Sequence, residues 1–398
     1  MNKEELDRML EAMVRSAEGI SDLLFVSGRP LLVKIEGELK PFVNEQYQFQ
    51  LTSAQIEGLS NLIIRENKRL LQDLKERGSC DCAYTLANLC RFRVNIYLQN
   101  GNYAMVMRYL RPLIPTFDSL HFPPVFNEII REKNGLIFVT GGTGMGKTTT
   151  IAAMLNEINK TRNIHIITLE DPIEFLFMPV KSTFSQRELG LDFYVYRDGM
   201  RAAMRQAPSV IFIGEIRDRE TMEIVLSAGE TGHLVFSTLH TNGASKTINR
   251  ILSMFSVDEQ MQVRERLAGS MRYVLSERLV PGIAGGRLLV TELMGNSLRT
   301  REAILLGENE NRNMEEIIEA GSVSGWHTFE QSLIKAYEQD LITEETALIH
   351  CANKTKMIQR LDTLSLKKPR KLVQAESMFA NLRMQEDEKL AKLRTKVR

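Results

Sequence analysis

The chain has 398 residues, of which 43% are hydrophobic and 25% are charged, and its formal net charge is +1. This length suits two or three domains, and the composition is that of an ordinary soluble globular protein. The small net charge excludes a global attraction to nucleic acid or anionic membrane. No apolar run reaches the roughly 18 residues needed to span a bilayer. The N-terminus lacks the apolar core of a signal peptide, so we expect a cytoplasmic protein.

The first 110 residues predict a small α+β domain with an antiparallel sheet. In chain order they predict a helix, a hairpin region, a second helix and three strands, over residues 1–18, 21–42, 52–76 and 80–110. Four prolines fall between residues 112 and 124. We therefore predict a stiff linker at 111–124. The four cysteines match no usual zinc spacing and are expected to be reduced thiols.

Strands and helices alternate from residue 125 onward. The predicted strands cover residues 136–140, 164–169, 210–214 and 233–238. Such alternation predicts a parallel sheet covered by helices on both faces. Beyond residue 258 the pattern predicts helices with a short β pair near 272–294, and we place the end of this domain at residue 365. The remaining residues, 366–398, carry ten Lys/Arg against four Asp/Glu and predict a basic tail that is helical in pieces.

The run GGTGMGKTTT matches the phosphate-binding pattern G-x-x-x-x-G-K-[ST] between a predicted strand and a predicted helix. Backbone N–H groups of such a loop surround phosphates, and the helix start adds a positive dipole end. We predict that Lys147 reaches the β- and γ-phosphates and that the Thr148 hydroxyl binds Mg²⁺. The predicted ATP-binding residues are Gly141, Gly142, Thr143, Gly144, Met145, Gly146, Lys147, Thr148 and Thr149. A plain glycine turn is the alternative.

Three more segments place polar side chains at strand ends, where open parallel sheets bind ligands. In HIITLEDPIEF, Glu170 follows a strand and is predicted to hold Mg²⁺ through water or to orient the attacking water. In SVIFIGEIRD, Glu215 is predicted to act as general base. In GHLVFSTLH, His240 is predicted to sense the γ-phosphate. The alternative for Glu170 is a solvated acidic loop, that for Glu215 is a helix-capping acid, and that for His240 is a satisfied core or surface histidine.

In this order the segments resemble the Walker A, Asp box, Walker B and His box of the secretion ATPase (GspE) superfamily. The run RQAPSVIFIGEIRDRETMEIVLSAGETGHLVFSTLHTNGASKTINRI resembles its PilT/PilU-type branch, the twitching-motility motors of type IV pilus retraction. The resemblance implies an N-terminal PAS-like domain, a C-terminal RecA-like ATPase domain and a ring hexamer. It also implies that N-terminal arginines complete the nucleotide site. CRFRVN and VMRYL nominate Arg93 and Arg108, with Arg91 as a weaker third.

The resemblance implies a hexameric ATPase that powers pilus retraction by coupling ATP hydrolysis to domain rotation. It implies work at the cytoplasmic face of the inner membrane, with a membrane platform protein and a paralogous motor ATPase as partners. Two alternatives stay open: a pilus-assembly or type II secretion ATPase, and an accessory ATP-binding regulator. The run LRTREAILLGENENRNMEEII departs from the AIRNLIRE-like motif of retraction motors. Whether Arg93 serves its own subunit or a neighbour also stays open.

Overall fold

The computed structural model describes residues 2–35, 37–86, 89–110, 113–310 and 312–367. The chain divides into two compact units. The larger unit comprises Met1–Leu279 and Thr291–Thr328, and the smaller comprises Val280–Val290 and the chain from Phe329 onward. The sequence did not predict this separation of the last helices from the ATPase fold. Most of the predicted basic tail, residues 368–398, lies outside the described residues.

The N-terminal part of the larger unit is a six-stranded antiparallel sheet with the strand order β3-β2-β1-β6-β5-β4. Its elements are α1 Lys3–Val14, β1 Ile20–Val26, β2 Leu32–Ile35, β3 Glu38–Pro41, α2 Ser53–Ile64, α3 Lys68–Arg77, β4 Ser79–Leu86, β5 Cys90–Gln99 and β6 Asn102–Leu110. Helix α1 begins with a capping box between Asn2 and Glu5, and its apolar face is fully buried. This arrangement agrees with the small α+β domain with an antiparallel sheet that the sequence predicted.

The single helix predicted over residues 52–76 is wrong, because the structure has two helices there. Helix α2 ends at Arg65, which adopts a positive φ of 56°. The Asn67 side chain then accepts hydrogen bonds from the backbone N–H groups of Arg69 and Leu70 and caps α3. A side chain that satisfies the first donors of a new helix competes with continuation of the old one.

Strands β5 and β6 form a hairpin whose turn residues Asn100 and Gly101 both have positive φ. Its register places Arg93 directly opposite Arg108. Along β5, Phe92 is fully buried while Arg93 is exposed. Since side chains alternate along a strand, the arginines of β5 share the face opposite the hydrophobic core.

The second sheet of the larger unit has seven strands in the order β13-β12-β7-β11-β10-β8-β9, and the pairs from β12 to β9 are parallel. Its strands are β7 Gly135–Thr140, β8 His165–Glu170, β9 Thr183–Glu188, β10 Val210–Ile213, β11 Leu234–Leu239, β12 Met271–Pro281 and β13 Arg287–Gly295. The helices of this part, which precede, separate and follow the strands, are α4 Phe126–Ile129, α5 Lys147–Thr161, α6 Tyr196–Ala203, α7 Arg219–Glu230, α8 Ala244–Leu252, α9 Val257–Ser270, α10 Leu298–Leu306 and α11 Met314–Ala320.

Alternate residues of β7 enter different hydrophobic clusters, which shows that both faces of the sheet are covered. Leu136 and Phe138 pack in one cluster, and Ile137 and Val139 pack in the other. Buried parallel strands therefore have continuous apolar sequences, and the α/β fold predicted from them is confirmed. Two features differ from the prediction: β9 is a strand that was not predicted, and β12 joins the main sheet beside β7.

The smaller unit combines the turn between β12 and β13 with α12 Phe329–Glu338, α13 Glu344–His350 and α14 Lys354–Lys367. Its core includes Val280, Val290, Phe329, Leu333 and Met357. Helix α14 continues two residues into the segment predicted as the tail. Among the described residues, no helix combines the length and the apolar composition that crossing a bilayer requires.

Candidate nucleotide-binding site

The predicted phosphate loop connects β7 to α5 and is shaped by glycines. Gly141 has a φ of 149°, and a Cβ there would lie 2.6 Å from the Glu277 carbonyl oxygen. Gly146, with a φ of 104°, precedes the first residue of α5. Because L side chains disfavour these conformations, the loop requires glycine at both positions. The tight turn directs the N-terminal N–H groups of α5 into the loop, as an anion site requires.

Lys147 is 8% exposed and folds over the loop. Its Nζ donates hydrogen bonds to the carbonyl oxygens of Gly141 at 2.9 Å and Gly142 at 2.8 Å. Burial lowers the pKa of Lys147, while the carboxylates of Glu277 and Glu215 act in the opposite direction. Two loop carbonyls therefore hold this cation beside the N–H groups of the loop, where a phosphate would bind.

Next to the loop is a cleft of about 200 Å³ that collects side chains from both sheets of the larger unit. Six of the residues predicted from sequence line it: Arg93, Lys147, Thr148, Glu170, Glu215 and His240. Thr143 and Gly144 of the predicted loop also line it. The fold therefore brings the nominated acids, base and cations to one place.

Glu170 and Glu174 place carboxyl groups on the lining of the cleft. Glu170 is 4% exposed, accepts a hydrogen bond from the Thr168 hydroxyl at 2.6 Å, and burial raises its pKa to about 7. Burial also raises the pKa of Glu174, while a hydrogen bond with the Thr148 hydroxyl and the charge of Arg93 lower it. No group of three His, Cys, Asp or Glu side chains in the described ranges is placed to hold a metal. These hard oxygen donors fit a Mg²⁺ that takes its other ligands from phosphate and water.

Glu215 and His240 face each other across the ends of β10 and β11. The Nε2 atom of His240 lies 3.5 Å from a carboxylate oxygen of Glu215, whose other oxygen pairs with Arg217. The Thr238 hydroxyl donates to the Gly214 carbonyl at 2.5 Å and holds the two strand ends together. Glu215 therefore has a fixed position at the cleft while keeping an acceptor oxygen near an imidazole.

The three nominated arginines occupy different environments. Arg93 lines the cleft of its own chain. The Nε of Arg108 donates to Asp22 at 3.0 Å, although the charge of Arg108 still lowers the pKa of Glu174. Arg91 forms an ion pair with Glu188. The structure thus brings one of the three to the cleft lining, and from the same subunit.

Sequence reasoning missed Tyr196 and Glu277. Tyr196 lines the cleft, is 8% exposed, and its hydroxyl has no hydrogen-bond partner in the described part of the chain. Glu277 is fully buried behind the loop, and no described residue bonds its carboxyl oxygens within hydrogen-bond geometry. Burial raises its pKa to about 8, although the nearby Thr150 hydroxyl and Lys147 lower it. Both residues belong to stretches without a motif, so no local signal marked them.

The parallel sheet, the glycine loop between β7 and α5, and the acids at the strand ends define a RecA-like P-loop ATPase. The family model described as "Type II/IV secretion system protein" matches residues 104–349. The chain belongs to this family of secretion ATPases, in its PilT/PilU-type branch.

Similar proteins match over most of the chain. The type IV pilus retraction ATPase PilT of Pseudomonas aeruginosa is 36% identical over 330 residues, which cover 83% of this chain and 94% of that protein. The type IV pilus ATPase PilU of the same organism is 34% identical over 364 residues, covering 91% and 93%. A crystal structure of the pilus retraction motor PilT with bound ADP has a TM-score of 0.80 at 38% identity, covering 89% and 99%. The predicted ATPase class and nucleotide use are thereby confirmed.

Proposed function

We propose that this ATPase is a hexameric motor that powers type IV pilus retraction by coupling ATP hydrolysis to rotation between its domains. The observation that carries the proposal is the convergence of Lys147, Glu215 and Arg93 on one cleft. A phosphate-binding cation, an acceptor carboxylate and an arginine that reaches the transferred phosphate are the parts that phosphoryl transfer uses. The likeness to retraction motors over four fifths of the chain supplies the biological context.

In this proposal each residue has a distinct role. Lys147 and the N–H groups of residues 141–149 bind the β- and γ-phosphates. Glu215 accepts the proton of the attacking water. His240, whose Nε2 atom lies 3.5 Å from a carboxylate oxygen of Glu215, contacts the γ-phosphate. Arg93 stabilises charge that develops in the transition state, and Arg108 adds to the local positive potential.

Mg²⁺ would be held by the Thr148 hydroxyl and, through water, by Glu170, and when bound it would neutralise charge on the transferred phosphate. Thr148 and Glu170 line the same cleft, which supports this pairing. Burial raises the pKa of Glu170 to about 7 and so favours the neutral acid, whereas a bound cation would lower this pKa and favour the carboxylate.

The proposed layout is an N-terminal domain at 1–110, a linker at 111–124, the ATPase domain at 125–365 and a basic tail at 366–398. We propose that the ring works at the cytoplasmic face of the inner membrane. Its partners would be a membrane platform protein and a paralogous motor ATPase. The Arg93 side chain at the cleft supports domain rotation, since moving the N-terminal sheet would move a catalytic cation.

Deletion of the protein tests the direction of force. Cells that lose a retraction motor should carry more surface pili than the parent strain. Cells that lose an assembly ATPase should carry none, and that result would overturn the proposal. Steady-state ATP hydrolysis by the purified protein separates a motor from an accessory regulator, because a regulator would bind ATP with little turnover.

A further inference from the structure

The turn Glu188–Gly190, which begins at the last residue of β9, is contacted by three N-terminal residues: Arg91 of β5, and Asn67 and Arg69 at the start of α3. The Arg91 guanidinium pairs with the Glu188 carboxylate, and these side chains are 14% and 4% exposed. The Asn67 side-chain amide donates to the Gly190 carbonyl at 3.4 Å. Arg69 covers Gly190 so closely that a Cβ there would lie 2.0 Å from its Nη2. The turn is therefore the place where N-terminal residues engage the ATPase fold.

The same turn also forms hydrogen bonds with the segment that carries the cleft residues Glu170 and Glu174. The Glu188 Oε2 atom that receives Arg91 also accepts a hydrogen bond from the Ile173 N–H at 3.1 Å. The Leu189 N–H donates to the Glu170 carbonyl at 2.8 Å. One carboxylate oxygen thus joins Arg91 to the segment that carries Glu170 and Glu174.

Arg91 and Arg93 are two residues apart on β5 and project from the same face, about 7 Å apart along the strand. Fixing Arg91 on the ATPase fold consequently fixes where Arg93 can reach. Because Glu188 is 4% exposed, loss of Arg91 would leave a buried carboxylate without its cation. Breaking one side of a buried pair is costly, so the contact strongly favours this arrangement of the strand.

We propose that the Arg91–Glu188 ion pair is a latch that holds β5 against the Glu188–Gly190 turn and thereby positions Arg93 over the phosphates. Arg91 is then a positioning residue and not a phosphate ligand. This inference rests on the proposed ATPase role of Arg93. It predicts that the latch affects turnover and leaves nucleotide affinity unchanged, because the phosphate loop is not touched.

The kinetic test compares Arg91→Ala, Glu188→Gln and the double variant in the full chain. Glutamine keeps an acceptor oxygen for the Ile173 N–H and removes the charge. We expect each single variant and the double variant to lose about 10- to 100-fold in kcat, since small misplacements have effects of this size. The KM for ATP should stay within about twofold. Arg91→Lys, which retains the charge, should recover most of the loss.

A matched control is the ion pair between Arg266 and Glu230, whose atoms lie 2.8 and 2.9 Å apart and which joins α9 to α7. Arg266→Ala and Glu230→Gln remove an ion pair away from the turn, whose side chains are more exposed at 25% and 37%, and should not change kcat selectively. A raised KM with unchanged kcat for Arg91→Ala would make Arg91 a binding residue and overturn the latch. The latch would also be overturned if the kcat loss in the Arg91/Glu188 double variant equalled the product of the two single-variant losses.

Hydrogen exchange tests the latch independently of hydrolysis. In Glu188→Gln and Arg91→Ala, amides of residues 171–175 and of the turn should exchange faster than in the parent protein, while β7 stays protected. Unchanged exchange in both variants would overturn the latch even if ATPase activity fell. If the parent protein hydrolysed no ATP, the proposed function would fail, and the exchange result would still decide the latch.

Discussion

Arg93 and Lys147 line one cleft within a single chain, although Arg93 lies on β5 of the antiparallel sheet and Lys147 begins α5 after the phosphate loop. If the arginine serves its own subunit, Arg93→Ala and Lys147→Ala damage the same kind of site. Mixing the two variants under conditions of subunit exchange should then restore no hydrolysis, because each subunit lacks one of the two cations. Steady-state phosphate release measures this outcome.

The control for mixing is wild-type protein exchanged with each variant, which shows that mixed rings form and hydrolyse ATP. If rings mixed from Arg93→Ala and Lys147→Ala subunits regain hydrolysis, Arg93 reaches a neighbour's nucleotide. Arg93→Ala alone should bind ATP yet turn it over slowly, with a loss of the order of 10³-fold or more, as for arginines that act on transferred phosphates.

Lys147→Ala should reduce the ATPase rate by about 10²-fold or more. The substitution removes a buried cation whose Nζ lies within the phosphate loop. Rates should be measured beside the thermal unfolding midpoint, so that loss of folding is recognised. Activity within about twofold of wild type would contradict the assignment of the loop.

Glu215→Gln should keep MgATP binding and lower kcat by about 10²-fold or more, because the amide preserves the shape and cannot accept the proton. Binding of a fluorescent ATP analogue and single-turnover hydrolysis measure the two properties separately. If affinity falls in parallel with hydrolysis, Glu215 has a structural role, for example in orienting Arg217.

The substitution Glu277→Gln should raise stability relative to wild type, and by more at high pH than at low pH. The pKa of Glu277 is raised from 4.5 to about 8, so the folded state binds a proton that the unfolded state releases in this window. In the wild type, the contribution of protonated Glu277 to the free energy of unfolding is present at pH 4.5 and is lost as pH rises through 8. The difference in Tm between variant and wild type should therefore increase between pH 5.5 and 8.5, by about 2–4 °C for each kcal/mol. A pH-independent difference would show that Glu277 does not titrate.

Truncation after Lys367 should leave ATP hydrolysis unchanged, because His240 is the last of the described residues that line the nucleotide cleft. The cut follows the last described residue of α14 and spares the packing of the smaller unit. We expect instead the loss of a weak, salt-sensitive association with anionic vesicles, given the excess of Lys and Arg after residue 365. Loss of both assembly and hydrolysis would contradict this prediction.

The sequence by itself determined the ATPase fold and its nucleotide loop. Both depend on local patterns: apolar runs such as Leu136–Thr140 specify buried parallel strands, and the glycines with Lys147 specify an anion site. The sequence also placed Glu215 and His240 at one edge of the sheet, because both follow parallel strands and the carboxyl ends of parallel strands lie together. Those inferences need no knowledge of distant contacts.

Tertiary structure alone decided how residues remote in sequence share the site. Arg91, Arg93 and Arg108 look alike as outward-facing arginines, and only the packing of β5 against the Glu188–Gly190 turn assigns the first to an ion pair and the second to the cleft. Glu277 gives no local signal, because its burial depends on β12 pairing with β7. Long-range pairing sets burial and charge environment, and these in turn set what an ionisable side chain can do.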